Sequence, residues 1–458
     1  MLDNNLKRDL SSRQIQMIAL GGTIGVGLFM GAASTIKWAG PSVILSYMIA
    51  GLIVFLVMRA LGEMIYVYPD TGSYVKFAAD YIHPFWGFMT ASHSIFNWVI
   101  VGISEVVAVG SYFNYWWPEL PTWIPGVLVI LIVFAANIVS VKWFGEFEFW
   151  FSITKVITIL LMIVAGAGIL IFGIWHPNSD SGISNLWSHG GFFPNGLKGF
   201  LFSLSIVFGS FIGVELIGIT AGESKDPRKN IRKAINGVAW RIIIFYIGSI
   251  FIIVTVYPWD ELSNMGSPFV ATFAKVGITF AASIINFVVI TAALSGSNSG
   301  VFSASRMMYT LSKQQQINKR FSKISTQGVP NYSIIFIVTG LIIGLIINII
   351  LKSIGEGAAN IFVYIYSASI LPGIFPWFTI LISHLKFRKL EKDRISTFKM
   401  PFYPFGNYIC LFALTFVIIC MFINKETRIS IIIGIIYFVI MSIYGWRKLA
   451  HTKTQSKN

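Results

Sequence analysis

The chain is short of charge. Only 12% of its 458 residues are Asp, Glu, Lys or Arg, about half the share in a soluble domain. That excludes an ordinary water-soluble fold. Acidic residues are scarcest, 19 against 34 Lys and Arg, for a formal net charge of +15. Cysteine is almost absent. Cys410 and Cys420 fall within one predicted helix, where ten residues set them about 15 Å apart, beyond disulfide reach. No polar connection is long enough to fold as a domain of its own.

In place of charge there are apolar runs. The chain is 55% hydrophobic, with a mean hydropathy of +0.74. Stretches of bilayer-spanning length recur throughout. Twelve spans are expected, at 14–34, 41–67, 85–112, 122–141, 149–174, 197–222, 237–257, 270–305, 332–351, 358–384, 402–422 and 428–447. The polar start carrying Lys7, Arg8 and Arg13 shows no cleavage signal, so the first run is read as a retained span.

Basic residues lie at span ends, which argues against nucleic acid as a partner. One set of alternate connections holds Lys76, Lys142, the run Lys225 to Lys233, the group Lys313 to Lys323, the group Lys386 to Lys399, and both termini. The other set holds only Lys37, Lys352, Lys425 and Arg428. The positive-inside rule places the first set, and both termini, in the cytoplasm. The expected organisation is a cytoplasmic N-terminus 1–13, a first repeat 14–174, a second repeat 197–384, a helix pair 402–447 and a cytoplasmic tail 448–458.

Spans one and six share wording. Gly21-Gly22-Thr23-Ile24-Gly25-Val26-Gly27-Leu28 and Gly209-Ser210-Phe211-Ile212-Gly213-Val214-Glu215-Leu216 both fit G-x-x-I-G-V-x-L. Five spans separate their starts, so they cross in opposite directions. Glycine-interrupted segments at matching places in two halves mark the binding site of a secondary transporter. Glycine tolerates the torsions of an unwound stretch. A broken helix exposes N–H groups that attract an anion and C=O groups that attract a cation. Two crossed breaks can therefore hold the carboxylate and ammonium of a free amino acid by backbone alone. Close helix packing through small residues is the bland alternative. Thr23 and Ser210 can donate to a carboxylate or bond back to their own helices. Phe211 is a candidate gating or packing aromatic.

Ionisable residues at depth cost roughly 2.5–3.5 kcal/mol each and are functional candidates. Lys155, Glu105 and Glu215 stand out as carriers of a transported proton; a fixed ion pair or a snorkelling lysine is the structural alternative. Arg59 and Glu63, four apart, read as a structural pair or gate latch. His83 and His93 read as interfacial or packing residues, and neither stands at metal-ligand spacing with a Cys or acidic cluster. Ser295, Asn298 and Ser299, in the stretch Ser295 to Gly300 deep in span eight, are candidates to wall the pocket or to bind an ion through hydroxyls, with packing through small residues as the equal alternative.

Several stretches carry a resemblance: Ile18 to Phe29, Ala39-Gly40-Pro41-Ser42, Leu61-Gly62-Glu63-Met64 with Pro69 and Gly72-Ser73, Phe211 to Glu215 followed by Ala221 to Ser224 and Asp226-Pro227, and Ala292 to Ser295 with Asn298-Ser299. Along nearly its whole length the chain resembles the bacterial amino acid permeases of the amino acid–polyamine–organocation superfamily. The resemblance implies an all-α polytopic fold of two inverted five-helix repeats plus two helices, with helices 1 and 6 unwound, working by alternating access. It implies substrate binding at Thr23, Ile24, Gly25, Val26 and Gly27 and at Ser210, Phe211, Ile212 and Gly213. It places Lys155 where sodium-coupled cousins hold an ion, favouring proton coupling. Gly209 departs from relatives that carry a larger, often aromatic residue there, which weakens any single-residue gate at that point.

The wording Met30 to Trp38 looks most like permeases for small neutral amino acids such as threonine, proline or alanine. Glu105 leaves a lysine or arginine carrier as an alternative. The expectation is a multi-pass plasma-membrane importer of a neutral L-amino acid with protons, with an exchanger, a channel or a nutrient sensor as rivals. No cofactor and no obligate protein partner are indicated. No nucleophile–base pair or metal cluster at depth suggests an enzyme.

Overall fold

A computed structural model describes residues 17, 24–69, 72–139, 141–172, 181–218, 227–262, 268–275, 279–355, 357–392 and 398–455. Gly21, Gly22 and Thr23, and the stretch 221–226, lie outside the described residues. The protein is all-helical and polytopic, with no strand among those residues.

Besides the short helices Ser73–Phe77 and Trp259–Leu262, the described α-helices are α1 (Val26–Phe29), α2 (Gly31–Ala39), α3 (Val43–Val67), α4 (Pro84–Phe113), α5 (Trp123–Val139), α6 (Val141–Phe172), α7 (Gly196–Gly209), α8 (Pro227–Arg241), α9 (Ser249–Val256), α10 (Pro268–Lys275), α11 (Thr279–Lys313), α12 (Asn331–Ser353), α13 (Ala358–Leu390), α14 (Phe405–Ile423) and α15 (Lys425–Gln455). Each expected span position carries helix. Gly40–Ser42, a tight turn, joins α2 to α3. Gly40 takes φ +59° there, a torsion that favours glycine.

Two boundaries move. The fifth span was expected from residue 149, yet α6 starts at Val141 and runs straight through Lys142, Glu146 and Glu148. The polar residues at its start do not break the helix; they hide its first two turns from a hydropathy reading. The seventh starts early too, because amphipathic α8 leads into a wide π-helical turn at Ile242–Gly248 and then α9.

Apolar and polar residues are arranged for lipid outside and protein inside. Ile346 and Ile350 on α12 and Ile440 and Tyr444 on α15 are exposed. Such exposure suits a hydrocarbon solvent. Ser295, Ser297, Asn298, Ser299 and Ser303 on α11 are buried. Helix α11 packs on α4, α5 and α6, and α13 on α4, α3 and α7. The interior helices thus surround the two chain breaks.

Arg59 and Glu63 do not form the pair expected of them. Glu63 accepts from Arg388 Nη2 (2.8 Å), His384 Nε2 (3.1 Å) and the Met400 N–H (2.7 Å). Arg59 donates to Asn236 Oδ1 (3.0 Å) and lies over the Phe398 ring. Two neighbouring elements compete for these charges and win, because α13 and the segment before α14 close over the end of α3.

Candidate functional site

Both expected interruptions are present. Ile24 and Gly25 are non-helical and α1 begins at Val26. Helix α7 stops at Gly209, and Ser210 to Glu215 run as successive tight turns. Their amides bond three residues back, Phe211 to Phe208, Ile212 to Gly209 and Val214 to Phe211. Gly213 takes φ +104°, where a side chain would be strained. Its N–H, turned out of the helical ladder, donates to Glu215 Oε2 (3.1 Å), which also accepts from Trp377 Nε1 (3.2 Å). Glu215 therefore caps its own break, and it shares no hydrogen bond with Lys155.

The two breaks touch. Ser210 Oγ donates to the Gly27 carbonyl at 2.9 Å. Tyr246, carried in by the π-helical turn, donates to the Ser210 carbonyl at 3.1 Å. Its ring stacks on Phe211 at 4.4 Å, and Tyr47 meets Phe211 edge-on at 6.1 Å. The hydroxyl of Tyr366 lies against Gly27, where an added Cβ would collide with it; the same Cβ would sit 3.2 Å from Ser210 Cα. Phe211 thus packs against the rings of Tyr47 and Tyr246. Ile212 is buried against Gly373.

A charged cluster adjoins the first break. Lys155 is fully buried. Its Nζ donates to the Ile24 carbonyl (3.0 Å) and to Ser295 Oγ (2.8 Å). Ser295 in turn donates to Glu148 Oε1. Glu105 from α4 lies close by: an added Cβ at Gly25 would be 2.6 Å from its Oε1, and one at Gly296 would overlap it. Glycine at both positions makes room for that carboxylate. Asn298 accepts from Asn137 Nδ2 at 2.8 Å, and Ser299 lies with it on the Glu148 side of α11.

The fold therefore gathers Ile24, Gly25, Gly27, Ser210, Phe211, Lys155, Glu105, Ser295, Asn298 and Ser299 into one region, whereas Glu215 serves the second break. Sequence reading missed Glu148, Tyr47, Tyr246, Tyr366 and Trp377. For Glu148 a signal existed. It precedes Lys155 by seven residues, two turns on one face. The tyrosines had none, because each comes from a different helix.

The family model described as Amino acid permease matches residues 14–457. The chain belongs to the amino acid permease family. A Bacillus subtilis (strain 168) protein named probable threonine/serine transporter YbxG is 57% identical over 445 residues, covering 97% of this chain and 95% of its own length. From the same organism, the uncharacterized amino acid permease YtnA is 42% identical over 451 residues, covering 98% and 96%, and the amino-acid permease AapA is 41% identical over 440 residues, covering 96% and 94%. These relatives are named as carriers and not as enzymes. The permease is a multi-pass membrane protein whose family acts on amino acids.

Proposed function

We propose that this permease imports a small neutral L-amino acid of the threonine/serine class together with protons. The observation that carries the reading is the meeting of the two breaks at Ser210 Oγ and the Gly27 carbonyl. On this reading the amides of Gly25 to Gly27 and the turns of Ser210 to Gly213, which meet in the described conformation, part to take the ligand between them. A carboxylate suits the amides that open a helix, and an ammonium suits free carbonyls. Thr23, next in the chain before the described Ile24, is a further candidate hydroxyl. Tyr47, Phe211, Tyr246 and Tyr366 pack closely around the breaks, which favours a small ligand, in line with the name of the relative that is 57% identical.

Lys155 bridges the first break to α11, and Glu105 and Glu148 give it two carboxylate partners. A cluster of one ammonium and two carboxylates can exchange a proton as the breaks move. Repeats 14–174 and 197–384 of inverted topology would rock about the site by alternating access, with 402–447 outside the repeat and both termini in the cytoplasm.

The test is uptake into proteoliposomes of a panel of labelled amino acids, lysine and arginine included, with and without an imposed pH gradient. Threonine or serine is expected to accumulate only with the gradient. Accumulation of lysine or arginine in their place would make the permease cationic, and flux only against a counter-substrate would make it an exchanger.

A further inference from the structure

We infer that Glu148 is the proton acceptor beyond Lys155, reached through the Ser295 hydroxyl, and that this three-residue chain is the route by which the coupled proton leaves the substrate site. The inference rests on the proton-coupled reading above and deepens it by naming the route.

The geometry is already set for transfer. Lys155 Nζ donates to Ser295 Oγ at 2.8 Å, and the same Oγ donates to Glu148 Oε1. Both hydrogen bonds point the same way, from ammonium to carboxylate. The arrangement follows from helix geometry. Side chains lean toward the N-terminus of their helix, so Lys155 reaches back along α6 toward the level of Glu148, and Ser295 on α11 fills the gap between them. Glu148 is fully buried, so an apolar salt link of this kind would bring little stability by itself. The charged groups acting on the chain of atoms are Lys155 and Glu148 themselves and Glu105 from α4. Ser299 and Asn298 on α11 and Asn137 on α5, which adjoin it among the described residues, are neutral.

The step balances. Lys155 ammonium gives a proton to Ser295 Oγ as the Ser295 hydroxyl proton passes to the Glu148 carboxylate. The products are a neutral amine, an intact hydroxyl and a carboxylic acid. Both charges vanish together, which suits a site closed to water. Glu148 then gives its proton to water at the N-terminal end of α6 and returns to carboxylate. In this conformation Phe144 stacks on Phe302 at 3.8 Å, one turn nearer that end. Release therefore belongs to a state in which α6 and α11 part there.

The test uses full-length protein in proteoliposomes, with whichever of labelled L-threonine and L-serine the wild type accumulates. Two rates are compared: accumulation driven by a pH gradient, and exchange at equal pH. Gln in place of Glu148 still accepts the Ser295 hydrogen bond but cannot take the proton. Glu148→Gln is expected to lower the ratio of driven accumulation to exchange by about tenfold or more, and to flatten the dependence of uptake on internal pH. Ser295→Ala should do the same and Ser295→Thr should restore the ratio; this pair decides the matter if Glu148→Gln is not recovered as folded protein. A wild-type ratio and pH profile in Glu148→Gln, or an equal loss of both rates in folded protein, would overturn the inference and leave Glu148 a structural support. If the wild type itself ignores the pH gradient, the coupled reading falls first and the route falls with it.

Discussion

Ser210 Oγ lies 2.9 Å from the carbonyl oxygen of Gly27 and donates to it, so the sixth expected span is tied to the first through their interrupted segments. The bond joins the first turn of α1 to the residue that caps α7. The Ser210 hydroxyl can trade it for a ligand without breaking a backbone hydrogen bond of either helix.

Ser210→Ala removes that hydroxyl. A hydrogen bond of this kind contributes about 0.5–1.5 kcal/mol net, so the half-saturating concentration for serine uptake should rise about three- to tenfold. Initial-rate uptake over a concentration series checks it. An unchanged value would show that the hydroxyl neither ties the breaks nor meets substrate.

Gly213 holds φ +104°. Gly213→Ala should cost about 1–2 kcal/mol through the left-handed torsion alone, read as a lower unfolding temperature in detergent. Gly168 on α6 has nothing within 4 Å of an added Cβ. Gly168→Ala should be neutral or stabilise by about 0.4–1 kcal/mol. Equal responses in the two variants would count against a strained break.

Lys155 is held by Ile24 and Ser295 and faces Glu148 and Glu105. Lys155→Met leaves those carboxylates without their counter-charge and should destabilise by about 3–5 kcal/mol, with gradient-driven uptake abolished. Lys155→Met combined with Glu148→Gln removes both charges. Part of the thermal stability should return while uptake stays absent. Thermal unfolding of the single and double variants is the measurement, and a double variant less stable than Lys155→Met would contradict the pairing.

Glu63 gathers Arg388, His384 and the Met400 amide in a buried cluster. Glu63→Ala strands all three donors and should cost about 3–5 kcal/mol. Arg59→Ala removes bonds to Asn236 and the Lys399 carbonyl and should cost less, about 1.5–3 kcal/mol. Limited trypsin digestion should cut after Lys399 faster in Glu63→Ala than in the parent protein. Equal digestion would show that the cluster does not hold that segment.

Both breaks were legible as words in the sequence because glycine clustered inside an apolar run weakens a helix where the bilayer otherwise favours one. Lys155 was legible because a charge at depth is costly. Its companion Glu148 was not, since it follows Lys142 and Glu146 at what reads as a helix edge. Once α6 is seen to begin at Val141, Glu148 lies two turns into it, and its spacing from Lys155 acquires meaning. Glu215 stands with Glu105 and Lys155 among the candidates for coupling; that its carboxylate accepts from the Gly213 amide and Trp377 is announced by no local pattern.

The amino-acid sequence alone established that this chain is a bundle of membrane helices with two glycine-marked interruptions, because the bilayer demands apolar runs and a backbone satisfied within itself. Which side chains meet was decided only by tertiary packing. Ser295 joins Lys155 to Glu148, and Tyr246 and Tyr366 reach the breaks, through contacts between helices far apart in sequence. Such contacts depend on crossing angle and helical phase, and neither is written in any one segment.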